Sequence, residues 1–158
     1  MSATDKMNRT VSTTASRSEW MTVLALSQTG DLERHWREFD SHPKFAWIKK
    51  PELGTVLVRA RASRTGCIFE LGEMTITRCS VEIGGGIVGH AYVAGRNKRH
   101  AAIAAIFDAL FQSSGDMKRR AEAVFVDLRS CLNARRGKVA AQAYASSVDF
   151  FMQLQEQA

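Results

Sequence analysis

Cys79 directly follows Arg78, and a guanidinium beside a thiol favours the thiolate, so the first chemistry on offer is that of a nucleophilic cysteine. His90 is by type a general base, and Glu70 and Glu73 supply carboxylates. Each has a plainer reading. Alternation puts Cys79 on one face with Thr75, Thr77, Val81 and Ile83, which favours a small residue of a half-buried sheet face over a reactive thiol. His90 lies beside Val88 and Tyr92 with neither a nucleophile nor a ligand set near it in sequence, which favours a sheet-face histidine bonded to a neighbour. Glu70, Glu73 and Arg78 fall within one hairpin, where they either pair across strands or orient a polar ligand or partner loop. The chain has no G-x-S-x-G, H-E-x-x-H or Walker lysine. Cys67, Cys79 and Cys131 lack C-x-x-C spacing, so neither a disulfide framework nor a zinc site is indicated, and a reducing cytoplasm is the expected home.

The stretch GHAYVAGRNKRHA, residues 89–101, concentrates charge where a strand-like segment passes into an alanine-rich helix pattern. Gly95 allows the turn, and Asn97 is a good N-cap whose side-chain oxygen can accept a backbone N–H from the first helical turn. That accounts for neither Arg96 nor Lys98 nor Arg99. Positive charge at a helix N-terminus opposes the macrodipole by roughly 0.3–1 kcal/mol per charge, and the N–H groups there already attract anions. A phosphate or an acidic face of another subunit would relieve the mismatch, against the plain alternative that the charges are simply solvated. Near the end of the chain, Ser147-Val148-Asp149-Phe150-Phe151 sets two aromatics side by side on a helix, where only one can face a given core and the other is expected to meet a partner. The candidate anion- or partner-contacting residues are therefore Glu73, Arg78, His90, Arg96, Lys98, Arg99, Asp149 and Phe150, with no catalytic or metal-ligating set.

The elements that hold these residues emerge from periodicity. Residues 1–15 are polar and without period, and are expected to form a mobile tail; residues 16–158 are read as a single domain. Ser16-x-x-Glu19 is a capping box opening a helix that turns Trp20 and Leu24 inward, and a second helix enters through Thr29-Gly30-Asp31 with Leu32, Trp36 and Phe39 inward. From Phe45 to Val93 the period becomes 2. FAWIKK and TVLVRARA flank Pro51-Glu52-Leu53-Gly54, and Val56, Val58 and Ala60 alternate with Leu57, Arg59 and Arg61. Gly66, Gly72 and the Gly84-Gly85-Gly86 triplet punctuate the strand-like runs between Ala62 and Val93. After Gly95 come a helix with Ile103, Ile106, Phe107, Leu110 and Phe111 in one stripe, and another with Ala121, Val124, Phe125, Leu128, Cys131 and Leu132. A last helical segment spans roughly 138–154, with Gly137 as the hinge before it. This order predicts an α+β fold, an antiparallel meander of four to five strands flanked by N-terminal and C-terminal helices.

Composition limits the function classes. The chain has 158 residues, 22 Lys and Arg against 16 Asp and Glu, and a net charge of +6, with a pI near 9.6. That balance suggests an acidic partner, whether nucleic acid, anionic membrane, phosphorylated substrate or acidic protein face. No run approaches the ~18 apolar residues needed to span a bilayer, and Glu19 interrupts any signal-peptide reading of WMTVLALSQ.

Four ordered stretches resemble the G subunit of the bacterial carbon–phosphorus lyase core complex: EWMTVLALSQ, VLVRARASRTGCIFELGEMTITRCSVEI, GHAYVAGRNKRHA and SSVDFFMQL. The resemblance implies a non-autonomous subunit, active only in assembly. In that family the G, H and I subunits, with an ATPase-like L subunit, transfer the ribose triphosphate moiety of MgATP to an organic phosphonate and release adenine. The implied partners are the I, H and J subunits, two copies of each, with ATPase-like K and L subunits; the iron–sulfur cluster and S-adenosylmethionine belong to the J subunit, and this chain alone is expected to bind no cofactor. The displacement chemistry is assigned in the family to the I subunit, so a structural role without catalytic groups is implied here. Two positions depart from the family pattern. Ser63 and Arg64 stand before Thr65-Gly66 where the family has a further glycine, and Asn97 replaces the usual acid of the junction, keeping the N-cap but removing a negative charge. The reading from composition alone, a small basic nucleic-acid-binding module, rests on the pI, three tryptophans and the basic junction, and predicts binding that falls steeply with salt. A lone thiol enzyme using Cys79 is the third class.

Overall fold

The structure is a computed structural model that describes residues 15–39, 42–63 and 65–145. The expectations for the N-terminal tail and for Asp149 and Phe150 therefore lie outside the described residues.

Helix α1 spans Arg17–Leu26, and the capping box opens it: Ser16 Oγ accepts the Glu19 N–H at 3.3 Å. Val23 and Leu24 are buried, and Trp20 stacks on Phe111 with ring centroids 5.0 Å apart. Helix α2, Thr29–Glu38, buries Leu32 and ends before Phe39, whose ring meets Phe107 edge-on at 5.8 Å.

Among the described residues the sheet has three strands, not four or five, in the order β1 (Phe45–Arg61), β2 (Ile68–Ile83) and β3 (Ile87–Ala94), all antiparallel neighbours. The difference has a physical cause. The Pro51-Glu52-Leu53-Gly54 segment does not turn the chain; it lies within one long strand whose register shifts between Trp47 and Lys49 and again between Lys49 and Glu52. Gly72 likewise does not end a strand. It takes a φ of 148° beside an irregularity in which Val58 pairs with Gly72 and Arg59 with Glu70, leaving Leu71 as the extra residue of a bulge. Residues with turn chemistry were thus absorbed as bulges in two strands of 17 and 16 residues.

Helix α3, Lys98–Gln112, is the centre of the domain: every residue from Ile103 to Phe111 is buried. One side lies on the sheet face carrying Cys79, Val81, Ile83, Ala91 and Val93, and α1, α2 and α4 cover the rest. Each fully buried Leu or Phe removed from water contributes about 1.5–3 kcal/mol, so the stripe from Ile103 to Phe111 dominates the core. Helix α4, Asp116–Ala145, runs straight through Gly137, which is therefore not a hinge. Its buried residues, Ala121, Phe125, Leu128 and Leu132, all lie in the first part of the helix.

Candidate partner interface

Three local arrangements place the polar residues. The first is a buried carboxylate. Asp108 sits in the apolar run of α3 with its side chain fully buried, and accepts from Arg17 Nη2 at 2.7 Å, Trp20 Nε1 at 2.8 Å and the His90 backbone N–H at 2.9 Å. Gln112 Nε2 donates to the Val88 carbonyl and also reaches Asp108. A buried charge is tolerated only when paired and hydrogen-bonded, and here the pairing ties α1 and β3 to α3. Sequence reasoning missed Asp108; the signal was one acid inside AAIAAIFDALF, where nothing but apolar residues packs.

The second arrangement is the basic junction. Gly95 leaves the strand with a φ of 89°, and Asn97 caps α3, its Oδ1 accepting the His100 N–H at 2.9 Å. Asn97 Nδ2 also donates to Thr29 Oγ1 at 2.9 Å, and Thr29 in turn meets His100 Nδ1 at 3.1 Å. The buried His100 ring closes the network on the Leu24 carbonyl, so the junction fastens the start of α2 to the start of α3. Arg99 pairs with Glu33 of α2 at 2.8 Å, so its counter-charge comes from within the chain. Arg96 and Lys98 take part in no ion pair among the described residues.

The third arrangement is the sheet face turned away from α3. Register places Arg78 opposite Tyr92 and Glu52, and Ser80 opposite His90 and Lys49. Arg78 Nε donates to Glu52 at 2.6 Å and Lys49 Nζ reaches the same carboxylate at 2.7 Å. Lys49, and after it Arg78, hold the Glu52 carboxyl below the usual range through these hydrogen bonds. His90 Nδ1 meets Ser80 Oγ at 2.8 Å, the neighbour bond expected for a sheet-face histidine, and residue 90 also lines an open groove of about 480 Å³ shared with Arg17, Met21, Tyr92 and Val93. Cys79, on the opposite face, donates its thiol to the Ala101 carbonyl at 3.1 Å, and burial pushes its pKa up to about 11. A thiol that ionises so late is inert at neutral pH, which removes the reading of Cys79 as a nucleophile. Glu73, the remaining candidate, lies opposite Leu57 well away from these pairs.

Beyond Gly95 the sheet has no third strand among the described residues. β1 and β2 continue together to Arg61 and Ile68 as a two-stranded ribbon. Val56, Val58 and Ala60 of β1 face Met74, Gly72 and Phe69 of β2 along one side of it, and Met74 and Phe69 are 42% and 44% exposed. A lone two-stranded hairpin is marginal in water, and a contiguous exposed apolar surface marks a contact site. Among the described residues, no group of three or more His, Cys, Asp or Glu is arranged to hold a metal ion.

Geometry of this kind defines an α+β domain whose sheet runs out into a two-stranded ribbon with exposed apolar side chains. The chain belongs to the family of the phosphonate metabolism protein PhnG, whose model matches residues 15–154. A curated relative, alpha-D-ribose 1-methylphosphonate 5-triphosphate synthase subunit PhnG of Rhizobium meliloti (strain 1021), is 39% identical over 137 residues, covering 87% of each chain.

Proposed function

We propose that the chain is a non-autonomous subunit of the enzyme complex that transfers the ribose triphosphate moiety of MgATP to an organic phosphonate and releases adenine. The relative's description as a subunit of a ribose methylphosphonate triphosphate synthase supports the reading. The observation that carries it is the β1–β2 ribbon, whose apolar side has no neighbour among the described residues. The complex acts in phosphonate catabolism in the cytoplasm. Its other members are the I, H and J subunits in two copies each, with ATPase-like K and L subunits; MgATP is a substrate, and the iron–sulfur cluster and S-adenosylmethionine reside on the J subunit. No helix among the described residues is long and apolar enough to cross a membrane.

The role of this chain is to hold a partner's reacting groups in place, since orientation of reactants is itself a large part of a rate enhancement. Adenine release from MgATP and methylphosphonate tests this. The isolated chain should be inactive, the remaining subunits without it should lose at least about two orders of magnitude, and adding it back should restore turnover. Full adenine release without this chain, or by this chain alone, would overturn the proposal.

A further inference from the structure

We infer that the open edge of β2 between Ile68 and Thr75 receives an extended strand from a different polypeptide, one in which basic and apolar residues alternate. β3 covers β2 only from Ile76 to Ile83. At Ala94 the chain turns away, and its last contact with that edge is the Gly95 N–H donating to the Thr75 carbonyl at 2.8 Å. β1 meanwhile stays paired on the other side of β2 as far as Ile68. Among the described residues the third-strand position therefore stands vacant for the rest of the ribbon, in line with β3.

The backbone groups in that position are ready to pair. In an antiparallel strand the N–H and C=O of one residue point to the same side, and the side alternates along the chain. Because the Thr75 carbonyl points to the β3 side, Glu73 turns both its N–H and its C=O to the vacant edge. An added strand would gain those hydrogen bonds and would extend the sheet from two strands to three where two are marginal.

Side-chain chemistry states what the strand carries. Glu73 and Glu70 lie on one face beside the edge, and Met74 and Phe69 lie on the other. Glu70 already lies 3.8 Å from Arg59 of β1, so a neighbour with a basic residue across from Glu73 and apolar residues across from Met74 and Phe69 satisfies both faces. A second copy of this chain does not. Two β2 edges brought together by a two-fold axis oppose glutamates to glutamates, and two β1 edges oppose Arg59 and Arg61 to their equivalents; like charges directly opposite are destabilising. A β1 edge on a β2 edge is head-to-tail and does not close. The bulge at Leu71 and these charges guard the edges against self-pairing and leave them open to a matched partner.

The inference rests on the subunit reading above, and its test separates the two. The chain is co-expressed with the other synthase subunits, and hydrogen exchange at the Glu73 amide is compared in the isolated chain and in the purified complex. Slowing on the order of tenfold or more in the complex is expected. Glu73→Pro provides the second measurement. Its missing N–H faces the vacant edge, so the β1–β2 ladder loses no bond and the isolated variant should fold, yet its incorporation into the complex should fall by about tenfold or more. A complex that forms while the Glu73 amide exchanges as fast as in the isolated chain overturns the added strand alone. A wild-type chain that enters no complex overturns the subunit reading and this inference with it.

Discussion

Gly89 of β3 lies so close to Ala105 of α3 that a Cβ on the glycine would run into the Ala105 carbonyl and come within 2.7 Å of the Ala109 nitrogen. The atoms in the way belong to helix backbone, which cannot swing aside as a long side chain would. Sheet and central helix are thereby held close, where Val81, paired with Gly89, and Ala91 join α3 in the core. Gly89→Ala should cost about 1–3 kcal/mol through overpacking, read as a lowered urea midpoint with an unchanged slope. A variant as stable as the parent would mean that sheet and helix part freely.

Asp108 should be the most sensitive polar position. Asp108→Ala leaves the Trp20 and His90 donors unpaired and the Arg17 guanidinium without its carboxylate, and a loss of about 3–5 kcal/mol is expected. Arg17→Ala should cost less, because the Arg17 side chain is 43% exposed and water can enter on its side. Equilibrium unfolding of the two variants gives the order, and a larger effect at Arg17 would contradict it.

Burial of Cys79 has a signature in alkali. Its folded pKa of about 11 lies above the ordinary thiol value of 9.0, so stability is complete below the lower value and declines as pH rises between the two. Cys79→Ala should remove that part of the decline. At pH 8, alkylation followed by mass spectrometry should label the exposed Cys67 and spare Cys79 in the native chain.

The basic junction divides into two kinds of charge. Arg99→Glu places a second carboxylate against Glu33 and should cost the isolated chain under about 1 kcal/mol, the scale of an exposed pair. Lys98→Glu should leave the isolated chain unchanged or slightly steadier, since an acid suits a helix N-terminus. If the junction meets an anion or an acidic partner face, Arg96→Glu and Lys98→Glu should weaken assembly without lowering the melting temperature of the isolated chain. Unchanged assembly would confine the stretch to capping.

The helices were legible because their signals are local. Ser16-x-x-Glu19 states its own start, Asn97 states another, and the stripe Ile103, Ile106, Phe107, Leu110 and Phe111 can be read from spacing alone. The alternation of Cys79, Val81 and Ile83 likewise showed which face would be buried. The strand count was not legible, because glycine and proline have the same composition in a bulge as in a turn, and only pairing across Val58, Gly72 and Glu70 separates the two. Gly137 misled for a related reason: an exposed glycine costs a helix about 1 kcal/mol, and a helix as long as α4 carries that without breaking. Of the candidate residues, Arg78, His90 and Arg99 found partners outside their own local stretch, in Glu52, Ser80 and Glu33, that no short window contains. The same holds for the Asp108 network, which draws from three separate elements.

That network also bears on the order in which the molecule is made. Arg17 and Trp20 emerge early from the ribosome, yet their acceptor lies 91 and 88 residues downstream. At a synthesis rate of roughly 5–20 residues per second, α1 waits on the order of ten seconds before its anchor exists. Helix α1 therefore gains this anchor only once the sheet and the α3 residues that carry its acceptor have been made.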